Sequence, residues 1–337
     1  MTGPLSGGLS GGLSGGTVVV TDCDHGTMAP EAAVLDAAGV DWRLEQCRTA
    51  EDVAARAADA AVLITQYAPI TAEVLDAVPG CRLVVRYGVG VDTVDVQAAQ
   101  ERGVWVANVP DYGTQEVADH AISLALTMLR GIPRLSSAVA SGGWDYRVAR
   151  PLHRLSTLRL GIVGCGAIGT ATAARAACFG MEVVGYDVAP DRPADGSGIR
   201  AVALEELLAT SDAVSLHLAL TPDTRHLIGQ GTLAAMKPSA VLVNTARGGL
   251  VDGQALLAAL DGGQLAGAAL DVLETEPPDE LGRRLAAHER VVVTPHAAWY
   301  SQESFEALKT EVAREAVRVL SGEPPRSPVN EPARVRA

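Results

Sequence analysis

From Thr17 onward, short apolar runs alternate with segments whose apolar positions recur every three to four residues. Runs of the first kind are typical of buried strands and segments of the second kind of amphipathic helices. In the first third of the chain we predict strands at Thr17–Thr21, Asp41–Glu45, Ala61–Thr65, Leu83–Arg86 and Val104–Asn108. Helices are predicted between them at Glu31–Ala38, Ala50–Ala57, Ala72–Val78 and Asp95–Arg102. This alternation indicates a parallel sheet with helices on both faces.

A second alternating region follows a long predicted helix, Thr114–Leu129, with Thr114 as its expected N-cap. A polar stretch, Ser136–Ser156, leads into this region. Strands are predicted in the run from Leu160 and at Met181–Tyr186, Ala213–Leu218, Ala240–Asn244, Leu265–Leu270 and Val291–Thr294. Helices are predicted at Thr170–Phe179, Leu204–Ala209, Thr232–Met236, Gln254–Asp261 and Tyr300–Leu320. We expect the Pro/Arg-rich tail, Gly322–Ala337, to pack loosely or fray.

These patterns predict an α/β fold with two doubly wound parallel-sheet domains. A Rossmann cofactor domain, 113–298, is predicted to be inserted into a flavodoxin-like substrate domain formed by 17–112 and 299–337. Ligands of such open sheets bind at the carboxyl ends of the strands. Residues 1–16 repeat Leu-Ser-Gly-Gly and have neither a basic region nor a continuous apolar core. We therefore expect a flexible leader and not a signal peptide.

The segment LGIVGCGAIG, Leu160–Gly169, places three glycines between a strand-like run and an Ala-rich helix-like run. Gly164, Gly166 and Gly169 have the spacing G-x-G-x-x-G, which allows a tight turn and brings a pyrophosphate to a helix N-terminus. Asp187 ends the next predicted strand, where a carboxylate binds ribose hydroxyls and repels a 2′-phosphate. The pattern predicts a dinucleotide site that favours NAD over NADP.

Three polar side chains follow predicted strands of the second region: Arg247 in VNTARGG, Glu276 in ALDVLETEPP and His296 in VVVTPHAAWYS. A guanidinium can hold a planar carboxylate, and a histidine paired with an acid can exchange a proton with an alkoxide. A surface arginine, a solvated glutamate and a core histidine are the ordinary alternatives. Asp271 and Glu274 compete with Glu276 for the acidic role. Together with an NAD site, the set predicts hydride transfer to or from a 2-hydroxy acid.

Composition narrows the possible partners and compartment. With 27 basic and 40 acidic residues, the net charge of −13 argues against nucleic-acid binding driven by overall charge. The five cysteines are scattered without a C-x-x-C pair, so we expect buried free thiols in the reducing cytoplasm and no zinc framework. No apolar run is long enough for a membrane span, and no membrane partner is predicted.

From Thr17 to about Leu320 the chain resembles the D-isomer-specific 2-hydroxyacid dehydrogenase family. In chain order, the matching motifs are RYGVGVDTVD, NVPDYGTQEVADHA, LGIVGCGAIG, SLHLALTPDTRHLIG, VNTARGGLVD, GAALDVLETEP and TPHAAWYS. The resemblance implies an NAD-dependent enzyme that interconverts a D-2-hydroxy acid and its 2-keto acid. It also implies a homodimer whose arm lies around Thr114–Ser156. Arg247, Glu276 and His296 correspond to the catalytic Arg, Glu and His of the family.

The same resemblance assigns the ligand-binding positions. The implied cofactor contacts are Gly164, Gly166, Ala167, Ile168, Gly169, Asp187, Thr114, His217, Thr224, Thr245, Ala246 and Asp271. The implied substrate contacts are Arg86, Tyr87, Gly88, Val89, Gly90 and Trp299. Within that set, Arg86 and Trp299 resemble positions of the C-terminal binding protein branch. The chain departs from the family at Ala219, where proline is usual, and at Gly253, where an acid often follows Val-Asp.

Two alternatives keep the cofactor site but change the function. One is an NAD(H)-sensing binding protein similar to the corepressors of the C-terminal binding protein branch. The other is a reductase of a 2-keto acid bearing a phosphonate or phosphate, for which the possible extra cations are Arg86, Arg147, Arg150 and His153. The expected pocket walls, Tyr87, Val89, Tyr112 and Trp299, do not fix the side chain of the substrate.

Overall fold

A computed structural model describes residues 16–189, 191–192 and 196–336. They form two compact units, one built from 16–112 with 301–336 and the other from 113–300. Trp299 and Tyr300 belong to the second unit, so it ends two residues beyond the predicted boundary at 298. Apart from Gly16, the predicted leader lies outside the described residues.

The elements follow one another in a largely alternating order. The strands are β1 (Thr17–Val20), β2 (Trp42–Leu44), β3 (Ala60–Thr65), β4 (Leu83–Arg86), β5 (Trp105–Ala107), β6 (Arg159–Val163), β7 (Glu182–Tyr186), β8 (Arg200–Ala201), β9 (Ala213–Leu216), β10 (Val241–Asn244), β11 (Gly267–Leu270) and β12 (Val291–Val293). The helices are α1 (Ala29–Ala37), α2 (Ala50–Arg56), α3 (Ala72–Ala77), α4 (Val96–Glu101), α5 (Thr114–Leu129), α6 (Ile132–Ala140), α7 (Ala167–Cys178), α8 (Leu204–Thr210), α9 (Gln230–Ala235), α10 (Gly253–Asp261), α11 (Glu280–Ala286) and α12 (Gln302–Leu320). Short 3₁₀ helices lie at Tyr146–Ala149, Leu155–Thr157 and Gly248–Leu250.

The first unit contains a five-stranded parallel sheet in the order β2-β1-β3-β4-β5. This is the flavodoxin-like doubly wound order. The central strand, AAVLIT, is buried along its whole length because helices cover both faces of the sheet. Polar side chains start the helices: Thr49 and Asp52 form a capping box on α2, and Asp95 caps α4.

The C-terminal tail is ordered against the edge of this sheet, so the prediction that it frays is wrong. The Val329 N–H donates to the Val106 carbonyl at 2.7 Å, and Asn330 exchanges two hydrogen bonds with Val106 and Val104. The Arg336 guanidinium donates to the carbonyls of Arg102 and Val78. The tail therefore satisfies backbone groups that the edge strand β5 would otherwise expose.

A charged pair lies in the core of the first unit. Lys309 of α12 and Glu31 of α1 are 2.6 Å apart, and both side chains are fully buried. The Tyr87 hydroxyl donates to the same Glu31 oxygen at 2.7 Å. Tyr87 is therefore directed into the core and is only 2% exposed, which corrects its predicted place in a pocket wall.

The second unit contains a seven-stranded parallel sheet in the order β12-β11-β10-β9-β6-β7-β8. Its arrangement is the Rossmann order with one further strand at the β12 edge. The strand order reverses between β6 and β9, and the carboxyl ends of strands at such a switch point form the ligand site of open α/β sheets. The fingerprint glycines follow β6, which places them at this position.

Several local predictions for the second unit need correction. The predicted polar stretch, Ser136–Ser156, overlaps α6 and two 3₁₀ helices. Helix α6 begins at Ile132 and has Pro133 in its first turn, where the missing N–H costs no intrahelical hydrogen bond. Gly113 and not Thr114 is the N-cap of α5. Cys178 is exposed, whereas the other four cysteines are buried as expected. Helices α6 and α11 and strand β8 were not predicted. Strand β8 has only two residues, both exposed.

Among the described residues, no helix is both long and apolar enough to span a membrane.

Candidate active site

The fingerprint glycines occupy positions where a side chain would collide with backbone. Gly164 has a φ of +101°, and a Cβ there would lie 2.6 Å from the His217 carbonyl carbon. A Cβ on Gly169 would lie 2.0 Å from the Gly164 carbonyl oxygen. Gly166 is the N-cap of α7, so the helix N-terminus begins directly at the turn. This turn can accept a pyrophosphate at unpaired helix N–H groups.

Asp187 ties the end of β7 to this glycine turn. One carboxylate oxygen accepts from the Cys165 N–H at 2.6 Å and the other from the Ala189 N–H at 2.9 Å. Backbone hydrogen bonds thus fix the carboxylate beside the turn, where the sequence predicted a ribose-binding acid. Its selectivity for NAD stays a prediction.

Three buried hydroxyls in the described part of the second unit lack a hydrogen-bond partner: those of Thr114, Ser211 and Thr245. Ser211 is the C-cap of α8, before β9, so the two threonines are the ones that test whether the residues suit a dinucleotide. Thr114 Oγ1 and Thr245 Oγ1 are buried and have no hydrogen-bond partner among the described residues. An unsatisfied buried hydroxyl costs about 1–3 kcal/mol, so such groups are expected to bond a ligand. Both threonines are predicted cofactor contacts, and Thr245 follows β10 directly. The donor set therefore fits a bound dinucleotide.

Other predicted cofactor residues have internal partners. His217 Nε2 lies 2.9 Å from Ser215 Oγ, and burial lowers the pKa of His217 to about 4, which keeps the ring neutral near pH 7. The Thr224 hydroxyl donates to the Ala219 carbonyl at 2.8 Å and thereby stabilises its own loop. Ala167 and Ile168 open helix α7, and the Ala246 N–H donates to the Asn244 side chain.

His296 and Glu276 form the central pair of the site. His296 Nδ1 lies 2.7 Å from Glu276 Oε2, and both side chains are about one-third exposed, at 35% and 36%. The second Glu276 oxygen accepts from the Leu273 N–H at 3.0 Å. Because both carboxylate oxygens are engaged, Glu276 fixes the imidazole orientation, and of the two ring nitrogens it is Nδ1 that contacts the carboxylate.

The turn that presents His296 is built on Asp271. The Asp271 carboxylate accepts from the Ala297 and Ala298 N–H groups at 2.9 Å each and from the Thr294 hydroxyl. His296 has a φ of +52°, a conformation that non-glycine residues seldom adopt and that the surrounding contacts must stabilise. Asp271 thus positions His296, and its predicted contact with the cofactor stays untested.

His120, to which the sequence patterns gave no role, also belongs to this network. Its Nε2 lies 3.0 Å from Thr294 Oγ1 and 3.6 Å from an Asp271 oxygen. The motif NVPDYGTQEVADHA contains His120 and places it in helix α5. Its partners Thr294 and Asp271 lie far along the chain, so their contact with His120 cannot be seen without the fold.

The pKa of Glu276 reports the charges around the pair. Burial raises it, but hydrogen bonding and charge from His296, the Leu273 N–H and the positive charge of Arg247 together hold it below the ordinary value. Glu276 is therefore ionised near neutral pH, and the Arg247 charge acts on the same carboxylate. The Arg247 guanidinium is anchored by a hydrogen bond of 2.8 Å to the Ala246 carbonyl.

The three acids that competed for one role have separate places. Glu276 contacts His296, Asp271 holds the turn before it, and Glu274 binds Arg225 and His226. Only Glu276 has a direct side-chain bond to the imidazole. Of the three acids, the geometry therefore pairs Glu276 with His296, and the catalytic roles of Glu276, His296 and Arg247 stay predictions.

Comparison with known proteins places this arrangement in a family. Residues 122–298 match the model described as "D-isomer specific 2-hydroxyacid dehydrogenase, NAD binding domain". The chain belongs to the D-isomer-specific 2-hydroxyacid dehydrogenase family. The predicted family, α/β fold and NAD cofactor are thereby confirmed.

Named relatives of this family agree with the predicted enzyme class. The chain is 40% identical over 299 residues to glyoxylate reductase of Korarchaeum cryptofilum, covering 86% of this chain and 89% of that protein. It is 38% identical over 287 residues to D-3-phosphoglycerate dehydrogenase of Methanocaldococcus jannaschii, covering 84% of this chain. The chain spans only 54% of the length of that second relative. Both relatives are oxidoreductases, as predicted.

A solved structure gives the same fold. The TT0316 protein from Thermus thermophilus matches with a TM-score of 0.83 and 36% identity, covering 93% of this chain and all of that one. The likeness supports the two-sheet α/β architecture of this family member.

The predicted substrate loop of the first unit follows β4. Gly88 has a φ of +112°, and a Cβ there would lie 2.3 Å from Arg86 Nη1 and 3.4 Å from the Tyr112 hydroxyl. The Arg86 guanidinium therefore lies over the loop, beside Tyr112. Val89 is 42% exposed, and its carbonyl accepts from the Asn108 side chain at 2.6 Å. Gly90 lies in the same loop.

Trp299 belongs to the second unit, where its ring packs edge-on against Tyr300 with centroids 5.7 Å apart. Its role in binding substrate stays a prediction, as do those of Arg86, Gly88, Val89, Gly90 and the backbone of Tyr87.

Proposed function

We propose that this protein catalyses the NAD-dependent interconversion of a D-2-hydroxy acid and its 2-keto acid. The observation that carries the proposal is the pair of His296 and Glu276, each about one-third exposed and 2.7 Å apart, with the second Glu276 oxygen anchored by the Leu273 N–H. An imidazole oriented in this way, accessible to solvent and backed by an ionised carboxylate, suits general acid–base catalysis.

In the direction of reduction, the keto carbon accepts a hydride and its oxygen accepts a proton. NADH, when bound, supplies the hydride. His296 Nε2 donates the proton to the developing alkoxide, and Glu276 stabilises the resulting charge redistribution on the imidazole. Arg247 binds the substrate carboxylate and draws electron density from the carbonyl. In the reverse direction His296 accepts the hydroxyl proton.

The turn at Gly164, Gly166 and Gly169 would hold the pyrophosphate, and Asp187 the ribose hydroxyls of the adenosine. The unpartnered hydroxyls of Thr114 and Thr245 support cofactor contacts at those residues. These assignments place the cofactor in the second unit.

We propose a small, unphosphorylated 2-keto acid as substrate. The name of the glyoxylate reductase of Korarchaeum cryptofilum supports this class. Two of the four cations considered for a phosphate have local partners: Arg147 pairs with Asp145 at 2.7 Å, and Arg150 stacks on the Tyr146 ring at 4.9 Å. These two do not favour a phosphate-bearing substrate. The motif TPHAAWYS and Arg86 support placement near the C-terminal binding protein branch.

The experiment is a panel of 2-keto acids with NADH, followed by loss of nicotinamide absorbance. Glyoxylate, pyruvate, hydroxypyruvate and a phosphorylated analogue cover the alternatives. We expect turnover of at least one unphosphorylated acid. Tight NADH binding without oxidation by any member would favour the sensing function instead, and turnover of the phosphorylated acid alone would overturn the substrate class.

We further propose that the protein acts as a homodimer through the segment 132–152. Exposed large apolar side chains concentrate there, including Trp144 at 91% and Tyr146 at 68%. Such side chains mark association surfaces when they cluster. Sedimentation equilibrium of the wild-type chain and of Trp144→Ser tests this, with a monomeric wild type as the contrary result.

We place the protein in the cytoplasm on the basis of its thiols. All five cysteines are free, and only Cys178 is exposed. Free thiols persist in a reducing compartment.

A further inference from the structure

The loop that carries Glu276 is packed over a cavity. This cavity, of about 320 Å³, lies beneath the segment Leu273–Thr275. Its apolar walls include Val251, Leu256, Leu270, Val272, Leu281 and Leu285. A loop beside a cavity lacks van der Waals partners on that side. The position of Glu276 must therefore depend on other contacts.

One such contact is a clamp on Glu274, two residues before Glu276. Arg225 Nη2 lies 2.5 Å and His226 Nε2 lies 3.0 Å from the same Glu274 oxygen. Both partners come from the motif SLHLALTPDTRHLIG, and neither has a part in the proposed chemistry. His226 is itself fixed in a left-handed conformation with a φ of +53°, and its N–H donates to the Gly249 carbonyl at 2.8 Å.

A second contact is the close approach of the same loop to Gly248. A Cβ on Gly248 would lie 2.0 Å from the Leu273 carbonyl carbon and 2.4 Å from the Glu274 nitrogen. Only glycine leaves room for this backbone contact. Gly248 adjoins Arg247 in sequence, so the contact links the segment bearing Arg247 to the loop bearing Glu276.

These contacts form a continuous path to the candidate catalytic pair. Glu274 is held by Arg225 and His226, and the backbone beside it rests on Gly248. The N–H of Leu273 donates to Glu276, which in turn binds His296. Each link is a direct contact within the second unit.

We infer that Arg225 and His226, acting through Glu274, are positioning residues that hold Glu276 in register with His296, with Gly248 as the backbone support. The inference rests on the proposed role of the Glu276–His296 pair. None of these residues donates or accepts the transferred proton. Their effect is on the orientation of the carboxylate, so it should alter turnover more than cofactor binding.

Exposure of the clamp makes the inference testable without unfolding. The side chains of Arg225, His226 and Glu274 are 53%, 40% and 32% exposed. An ion pair at this exposure contributes about 0–1 kcal/mol to folding. Misplacing a catalytic group by a fraction of an ångström can slow a reaction by about tenfold or more. A positioning role thus predicts a loss of turnover at nearly unchanged stability.

The principal variant is Glu274→Gln, which keeps the shape of the side chain and removes its charge. Glu289→Gln is the matched control because Glu289 is 84% exposed and forms only a loose pair with Arg290 at 3.7 Å. We expect Glu274→Gln to lower kcat about tenfold, with NADH affinity within about twofold of wild type and an unchanged melting temperature. The control should match wild type throughout.

A double-mutant cycle tests whether the residues act through one contact. Arg225→Met in the Glu274→Gln background should add little to the loss, whereas independent roles would give multiplied effects. Gly248→Ala should lower turnover at least as much. If Gly248→Ala does not fold, the double-mutant cycle of Arg225 and Glu274 still tests whether the positioning residues act through one contact.

The low-field proton resonance of the His296 Nδ1–H, recorded with and without NADH, provides a readout independent of turnover. In Glu274→Gln, loss of the contacts with Arg225 and His226 should broaden this resonance or shift it upfield. Glu289→Gln should leave it unchanged. If wild type reduces no keto acid, the proposed function fails, but this resonance still tests the positioning. A Glu274→Gln variant with both wild-type kcat and a wild-type resonance would overturn the inference.

Discussion

Two acid–base pairs, one from each unit, have almost the same length but contrasting environments. Lys309 and Glu31 lie 2.6 Å apart in the first unit, with both side chains fully buried. His296 and Glu276 lie 2.7 Å apart in the second, with each about one-third exposed. The distance between the two side chains therefore does not distinguish a pair that stabilises the fold from a pair proposed to transfer a proton. The two pairs differ in their exposure to solvent, which a proton-transfer group needs.

The buried pair is enclosed by aromatic rings and a thiol. Lys309 Nζ lies 5.5 Å from the Tyr87 ring centroid, 5.4 Å from that of Phe305 and 3.4 Å from Cys23 Sγ. One Glu31 oxygen has no hydrogen-bond partner among the described residues. The pair joins α1 to α12, and neither charge can be exposed without opening the core. Its contribution is to hold these two helices together.

The exposed pair lies in loops after β11 and β12, where backbone contacts hold each partner. Glu276 is fixed by the Leu273 N–H and His296 by the turn on Asp271. The imidazole can therefore exchange a proton without disturbing the sheet. Rigid backbone support with partial exposure is the combination that acid–base catalysis needs.

The largest expected effect comes from breaking the buried pair. Lys309→Met leaves Glu31 buried without its cation, which should lower the free energy of unfolding by about 3–5 kcal/mol. Urea denaturation measures this. Arg43→Met is the control in the same unit, since the pair of Arg43 with Asp59 is exposed and should be worth less than about 1 kcal/mol.

Replacing both partners, as in Lys309→Met with Glu31→Leu, should restore much of the lost stability because no unpaired charge remains. Equal instability of the single and double variants would show that the charge pairing is not what holds α1 to α12.

The second effect is a loss of stability in mild acid. Burial, and next the charge of Lys309, lower the pKa of His25 in the first unit to about 4. Between its ordinary value of about 6.5 and about 4 the unfolded chain binds the extra proton, so stability falls as the pH is lowered through this window. The loss from His25 should reach about 3 kcal/mol.

Burial also lowers the pKa of His217 in the second unit to about 4. Its contribution should be smaller because the residue is partly exposed. Melting temperatures from pH 7 to 4 should fall less steeply in His25→Gln than in wild type. An equal slope in both proteins would contradict the assignment to His25.

The third effect concerns the carboxylate of the exposed pair. Glu276→Gln keeps the shape but removes the charge that stabilises a protonated His296, so kcat should fall about a hundredfold. Thermal stability should change little, in contrast to Lys309→Met. Steady-state kinetics and a melting curve of Glu276→Gln measure the two effects. A large loss of thermal stability in this variant would show that the exposed pair, like the buried one, stabilises the fold.

The smallest expected effect concerns a third carboxylate, Asp187, which is fixed by backbone N–H groups as Glu276 is. Asp187→Ala should reduce the preference for NADH over NADPH by about tenfold, since the repulsion of a 2′-phosphate is lost. Fluorescence titration with both cofactors checks this. An unchanged preference for NADH over NADPH would contradict the proposed contact of Asp187 with the ribose.

The exposed pair of the second unit could be predicted from the sequence, but the buried pair of the first unit could not. The residues of the exposed pair follow apolar strands within recognisable motifs, so their types and positions already indicated acid–base chemistry. Lys309 and Glu31 stand in ordinary helical patterns near opposite ends of the chain. Nothing local shows that they meet, because the contact depends on how α1 and α12 pack in the first unit.

The predicted elements that were wrong or missing also depend on contacts between residues far apart in the sequence. The tail at 322–336 lacks hydrophobic periodicity, yet Asn330 and Arg336 dock through backbone carbonyls. Strand β8 is two exposed residues, and its assignment depends on pairing with β7. The strongly periodic helix α5 was predicted with the bounds that the structure has, Thr114–Leu129, although its N-cap is Gly113. Elements defined by long-range hydrogen bonds have no comparable local pattern.

The most direct test of the account is single-turnover reduction of a 2-keto acid by His296→Ala with NADH already bound. The account predicts that NADH affinity and melting temperature stay near wild type while the reduction rate falls by about 10²–10⁴-fold. A wild-type reduction rate in this variant would contradict the assignment of the exposed pair as the proton-transfer group.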